Sequence, residues 1–140
     1  MWVIVHALSG MALGRVLPPS LWILIPAVLV AHALLDLVPH WDYTHSRGKV
    51  LWGALDVAAA TSALLLAALV FHLPGLILAA GIVSALPDLD VLDALFPFER
   101  RSRWFPSHWQ RYPHGHARPL PGVALQAAVV ALSLVVLAVA

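Results

Sequence analysis

The sequence predicts an all-α protein, a polytopic transmembrane helical bundle of four to five spans, and three observations predict it. Sixty-one per cent of the 140 residues are hydrophobic and only 11% are charged, well below the roughly 25% of a soluble domain. The mean hydropathy is +0.88. The apolar residues fall in long runs separated by prolines and short polar loops, and each spanning helix needs about 20 such residues. One domain of that kind uses the whole chain. With no cysteine, disulfide and thiolate chemistry are excluded, and a net charge of +1 gives no reason to expect a nucleic-acid partner.

The first run is read as a helix over about 2–17. It is short for a span, but it lacks the basic start and polar break of a signal peptide. Pro18-Pro19-Ser20 ends it and opens the second helix, 21–38, with Pro26 as a kink and Pro39 forcing the chain out. A polar loop, 40–49, leads to a third helix, 51–71, and His72-Leu73-Pro74-Gly75 turns into a fourth, 76–95. Pro87 interrupts this fourth run, and Val91 to Phe96 continues it as a short amphipathic piece. Residues 97–119 carry five arginines interleaved with Trp104, Trp109 and Tyr112, suiting an interfacial segment that anchors on anionic lipid. The last helix, 121–140, has no charge at all. Shifting the sequence by 48 residues lays Val38-Pro39-His40-Trp41-Asp42 on Leu86-Pro87-Asp88-Leu89-Asp90, a weak repeat that would make two helix pairs plus a C-terminal helix.

If every run spans, the N-terminus and the loops at 40–49 and 97–119 share one side. They carry Arg47, Lys49, Arg100, Arg101, Arg103, Arg111 and Arg118, so the positive-inside rule makes that side cytoplasmic and the location the inner membrane. The same arithmetic brings His6, His32, Asp36, Asp56, Asp88 and Asp90 to the cytoplasmic ends of four helices, and only His72 falls opposite. Ionisable groups in lipid are costly and mark function.

His32 and Asp36 lie one turn apart on one helical face, which suits two ligands to one ion or a polar pair joining helices. Asp88 and Asp90 flank a helix break that would point two carboxylates at one site, or simply end a helix. Asp56 has no basic neighbour in its own helix; it is either a further ligand or a protonated, hydrogen-bonded acid. His6 joins the set by depth. Of the loop histidines His45, His108, His114 and His116, the pair His114 and His116 would close over the site or assist proton transfer, unless they are merely solvated; His40, just past Pro39, is a second candidate acid or base. Mixed imidazole and carboxylate donors favour zinc, then iron or manganese, over calcium, and there are enough for one or two ions. Two would suit phosphoester hydrolysis.

Val5-His6-Ala7-Leu8-Ser9-Gly10 with Gly14, followed by Ala85-Leu86-Pro87-Asp88-Leu89-Asp90, resembles the bacterial inner-membrane proteins known as membrane-bound metal-dependent hydrolases. Their pattern is a first-helix histidine, a Leu-Pro-Asp-x-Asp motif and a later histidine-rich segment. His32-Ala33-Leu34-Leu35-Asp36-Leu37-Val38-Pro39-His40-Trp41-Asp42 is similar to a motif of small prokaryotic membrane proteins of that broad type. The family's later segment reads roughly His-Arg-x-x-Thr-His-Ser. Here Arg111-Tyr112-Pro113-His114-Gly115-His116 stands in its place, with Thr44-His45-Ser46 displaced upstream. The resemblance implies metal-dependent hydrolysis, distantly similar to zinc-dependent phospholipases, of a lipid-linked or phosphorylated substrate. The residues alone leave two other roles open: a metal-binding or transport protein, and a small accessory subunit of a larger membrane complex.

Overall fold

A computed structural model describes residues 1–92 and 103–140. Among them every regular element is helical. The order is α1 (Val3–Val16), α2 (Leu21–Leu37), α3 (Lys49–Val70), α4 (Gly75–Ala85), a 3₁₀ turn (Leu86–Asp88), a short α5 (Leu89–Leu92), a second 3₁₀ turn (Pro106–His108) and α6 (Pro119–Val139). The expected fourth helix, 76–95, is thus divided. Pro87 has no N–H to give, and the backbone tightens into 3₁₀ geometry over Leu86–Asp88 before α5 begins. The expected end of that helix and the part of the interfacial segment up to residue 102 lie outside the described residues.

Proline also sets the outer boundaries. Pro74 precedes α4, and Pro119 opens α6 at a position where a missing N–H costs nothing. Pro26 sits within α2.

Helix α1 is the centre of the assembly, packing against α2, α3, α4 and α6. Its contact with α4 is close because the facing residues are small. A Cβ on Gly10 would collide with the Ser84 side chain and the Ala80 carbonyl, and one on Gly81 would meet Met11, Leu64 and the Ala7 carbonyl. Leu8, Met11, Ala67, Ile77 and Leu137 form the core around this seam.

Two helices, α3 and α6, are long and apolar enough to cross a membrane; α1, α2 and the stretch Gly75–Asp88 are shorter apolar helices. Only 22% of the apolar window in each long helix is buried. Their outward faces carry side chains such as Leu69, 70% exposed, and Val139, 78% exposed. Apolar faces left this open suit contact with lipid or with another protein.

Long-range hydrogen bonds gather five helix ends at one end of the molecule. Val3 and Ile4 at the start of α1 bond to Asp56 near the start of α3. Trp2 bonds to Gln126 near the start of α6, whose amide also reaches Trp41 just past α2. His32 late in α2 bonds to Ser84 late in α4.

Candidate metal centre

At that end the segment 103–118 folds back over the helix ends. Gly115 N donates to the Asp36 carbonyl at 2.8 Å and Ala117 N to the His40 carbonyl at 2.9 Å. Gly115 is required there, since a Cβ would run into the Leu37 and Val38 carbonyls. The expected headgroup anchor is therefore, over its described part, a cap on the site, with Trp104 and Trp109 remaining more than half exposed.

The fold-back brings His108 to His32, Asp36 and Asp88. His32 Nε2 lies 3.4 Å from His108 Nε2, 3.3 Å from Asp36 Oδ2 and 3.8 Å from Asp88 Oδ1. His108 Nε2 lies 3.4 Å from Asp36 Oδ2 and 3.6 Å from Asp88 Oδ1. Four donor atoms on a tetrahedron with metal–ligand bonds of 2.0–2.2 Å are separated by roughly 3.3–3.6 Å. All five separations lie within or close to that range.

Each imidazole is fixed from behind so that Nε2 faces inward. His32 Nδ1 pairs with the Ser84 carbonyl at 2.7 Å, and His108 Nδ1 with Asp90 Oδ1 at 2.5 Å. A carbonyl or carboxylate behind the ring makes Nδ1 the protonated nitrogen and leaves the Nε2 lone pair free, as in metal-ligating histidines. Asp88 Oδ2, in turn, is buried without a hydrogen-bond partner, as are both nitrogens of His6. Asp36 also accepts from the Ser107 hydroxyl at 2.6 Å and the N-terminal ammonium at 3.1 Å, whereas Asp88 Oδ2 has no partner; two carboxylates against two imidazole nitrogens, one with an orphaned oxygen, are a donor set that fits a divalent cation.

The remaining expected residues fall into different places. Fully buried His6 stacks on His32 with centroids 3.7 Å apart, and its Nε2 is 3.3 Å from Asp36 Oδ1, so it belongs to the cluster. His40 and His114 face each other, Nε2 to Nε2, at 3.0 Å, and together with Asp36 make a further group of potential ligands. His40 Nδ1 is tied to the Val38 carbonyl at 2.7 Å.

Asp90 and Asp56, expected as ligands, are placed elsewhere. Besides His108, the Asp90 carboxylate accepts from Trp104 N and Phe105 N, both at 3.0 Å, so it stands behind His108 and orders the fold-back segment. Asp56 accepts from Val3 N at 2.8 Å, Ile4 N at 3.1 Å and the Tyr43 hydroxyl at 3.0 Å. It caps the N-terminus of α1 from another helix, satisfying amides that begin a helix without partners. His45 and His116 line a polar basin beyond the cluster.

Charge follows geometry. Burial works against protonation of His108, but its contacts with Asp36 and Asp90 and the charge of Asp88 prevail and push it up to about 9. Burial pulls His40 down to about 4 and also lowers His114. Against the burial that would raise it, the bonds to His108 and Phe105 N hold Asp90 below the usual carboxylate range.

Sequence reasoning passed over His108 as one loop histidine among several. Nothing local separates it from His114 or His116; only the return of the chain after α5 does.

Fold and site together define a helical protein with membrane-length apolar helices and a buried His/Asp cluster able to hold a metal ion. Compared with protein-family models, curated proteins and solved structures, the chain matches none.

Proposed function

We propose that this protein is a multi-pass inner-membrane metal-dependent hydrolase that cleaves a phosphoester-type substrate at the cytoplasmic face. The observation that carries the reading is the convergence of His32 Nε2, His108 Nε2 and Asp88 Oδ1, with Asp36 Oδ2 3.3 Å from the first imidazole and 3.4 Å from the second. With two nitrogen and two oxygen donors, zinc suits the set best, followed by iron and manganese. His6 Nε2, 3.3 Å from Asp36 Oδ1, would add a further nitrogen donor beside this set.

The membrane reading draws on the exposed apolar faces of α3 and α6 and on the position of α1. A central helix surrounded by others meets protein rather than lipid, so its 14 residues, about 21 Å of rise, suffice. Arg47, Arg103, Arg111 and Arg118 lie in the loops at the metal end and Lys49 opens α3 there, which supports a cytoplasmic site.

A bound divalent ion would supply Lewis acidity toward a phosphoryl oxygen and a water more acidic than bulk water. The protein's own residues would place and deprotonate. Asp88 and His108 line a small pocket of about 30 Å³ with His114, where a reacting group meets the site. Nδ1 of His40 donates to the Val38 carbonyl, so its Nε2 keeps the lone pair and can accept a proton from His114 Nε2, 3.0 Å away. His114 also lines the open basin, and the pair makes a short route for a proton from the site to water.

A transport role would need donors continuing through the bundle. Thr61 and Ser133, further along α3 and α6, instead donate to carbonyls one turn back in their own helices, Val57 and Val129. This favours a one-ended site.

The test is hydrolysis of p-nitrophenyl mono- and diesters by chelator-stripped protein reloaded with zinc, manganese or iron. The reading expects metal-dependent turnover, abolished in Asp88→Asn. His40→Ala should keep the metal and slow turnover about 10²- to 10⁴-fold. Metal-loaded protein without turnover on any ester class, in detergent and in bilayers, would refute it.

A further inference from the structure

The cluster lies where two spaces of opposite character meet. On one side is the polar basin, about 670 Å³, lined by Thr44, His45, Arg103, His108, His114 and His116 among others. On the other is an apolar groove of about 340 Å³ between α3 and α4. Its walls are Val57, Thr61 and Leu65 on α3, spaced four apart, and Leu78, Ile82 and Ala85 on α4. Each trio therefore forms one stripe along its helix. Thr61 turns its hydroxyl to the Val57 carbonyl and presents little polarity. Leu65 and Ile82 are about half exposed, so the groove is open along the lipid-facing side of the two helices. The groove ends on Val3 and Asp88, and both residues also line the small pocket that holds His108 and His114.

We infer that the α3–α4 groove holds one alkyl chain of an amphiphile whose phosphate-like anionic head sits at the metal cluster. The inference rests on the proposed metal-dependent reading and names its substrate class. Three features of the site select this occupant. The groove is continuous with the cluster through Asp88, so whatever fills it presents its end to the ligands. From Leu78 to Asp88 a helix rises roughly 15 Å, half of the ~30 Å hydrocarbon core and the depth of one leaflet. The lining changes from apolar in the groove, through the small pocket that Asp88 shares with His108 and His114, to the polar basin with the Arg103 side chain, matching the junction between tail and head. The substrate enters sideways from the bilayer, and the head group and water exchange through the basin.

The experiment measures binding of methylphosphonate and dodecylphosphonate to zinc-loaded protein in lipid nanodiscs. The comparison is between wild type, Ala85→Phe, Thr61→Trp and Ala131→Phe, the last on an exposed face of α6 outside the groove. Methylphosphonate reports on the metal site alone. The inference expects Ala85→Phe and Thr61→Trp each to weaken dodecylphosphonate at least about tenfold, a few buried methylenes' worth. Methylphosphonate affinity and the Ala131→Phe control should not change. Dodecylphosphonate binding that is equal in wild type and in both folded groove variants would overturn the inference. A change of oligomeric state in those variants, with dodecylphosphonate unaffected, would assign the groove to a second copy and overturn it as well. Failure of the metal reading looks different: methylphosphonate does not bind, while dodecylphosphonate still binds without zinc and still loses affinity in the groove variants.

Discussion

Replacing Asp90 with asparagine tests how the cluster is held. The wild-type carboxylate only accepts, and three donors surround it: His108 Nδ1 at 2.5 Å and the amides of Trp104 and Phe105 at 3.0 Å. Asparagine has one acceptor and one NH₂. If its oxygen stays on the two amides, the NH₂ faces His108 and favours the tautomer whose proton is on Nε2, where the metal must bind. If the oxygen stays on His108, the NH₂ opposes two N–H groups. Either arrangement loses a hydrogen bond to a charged acceptor, about 1.5–3 kcal/mol. That corresponds to about a 10- to 100-fold loss of metal affinity, the usual range for a residue behind a ligand. Zinc affinity is read by competition with a chromogenic chelator in detergent at fixed pH. Asp90→Asn should bind one equivalent weakly, whereas Asp88→Ala should bind none. Unchanged affinity in Asp90→Asn would refute this role, and so would a complete loss equal to that of Asp88→Ala, which would make Asp90 a ligand itself.

Asp56→Ala removes the cap on α1 and strands the buried Tyr43 hydroxyl; it should destabilise the protein by about 2–4 kcal/mol in thermal or denaturant unfolding while metal stoichiometry stays unchanged. Gly10→Val forces α1 away from Ser84, whose carbonyl orients His32, so it should lower both stability, by about 1–3 kcal/mol, and zinc affinity in the same titrations. His72 ends α3 with φ of 50°, which favours glycine, and His72→Gly should raise stability by about 1 kcal/mol without touching the metal site. Chelator-treated protein should be most stable near pH 6.5. Below it, stability falls toward pH 4, because the unfolded chain takes up a proton that buried His40 refuses; above it, stability falls toward pH 9 as His108 gives up the proton that the fold holds. Zinc should remove the alkaline limb, since the ion replaces that proton, and melting curves with and without zinc at pH 6.5 and 9 check it.

The sequence carried the helix order because the signals are local. Pro18-Pro19, Pro39, Pro74 and Pro87 punctuate apolar runs, and each sits at a boundary in the structure. It also carried His32 with Asp36, whose four-residue spacing puts both on one face whatever the helix packs against. The roles of Asp56 and Asp90 were not legible, because a carboxylate's job depends on which donors arrive from far along the chain. Val3 is 53 residues from Asp56, and His108 is 18 from Asp90. The place of His108 among the donors follows from the same fold-back. Its nearest local mark is Pro106, which opens the 3₁₀ turn that carries it.

In the proposed reading His32, Asp36, Asp88 and His108 hold one ion together. Its most direct test is the zinc content, by plasma mass spectrometry, of protein loaded with zinc and desalted. Wild type and the basin variant His45→Ala should retain at least one equivalent, and His108→Ala, which removes the one donor supplied by the fold-back segment, should retain none at this site. Full zinc content in a folded His108→Ala protein would show that His108 is not a ligand and that the four residues do not share an ion.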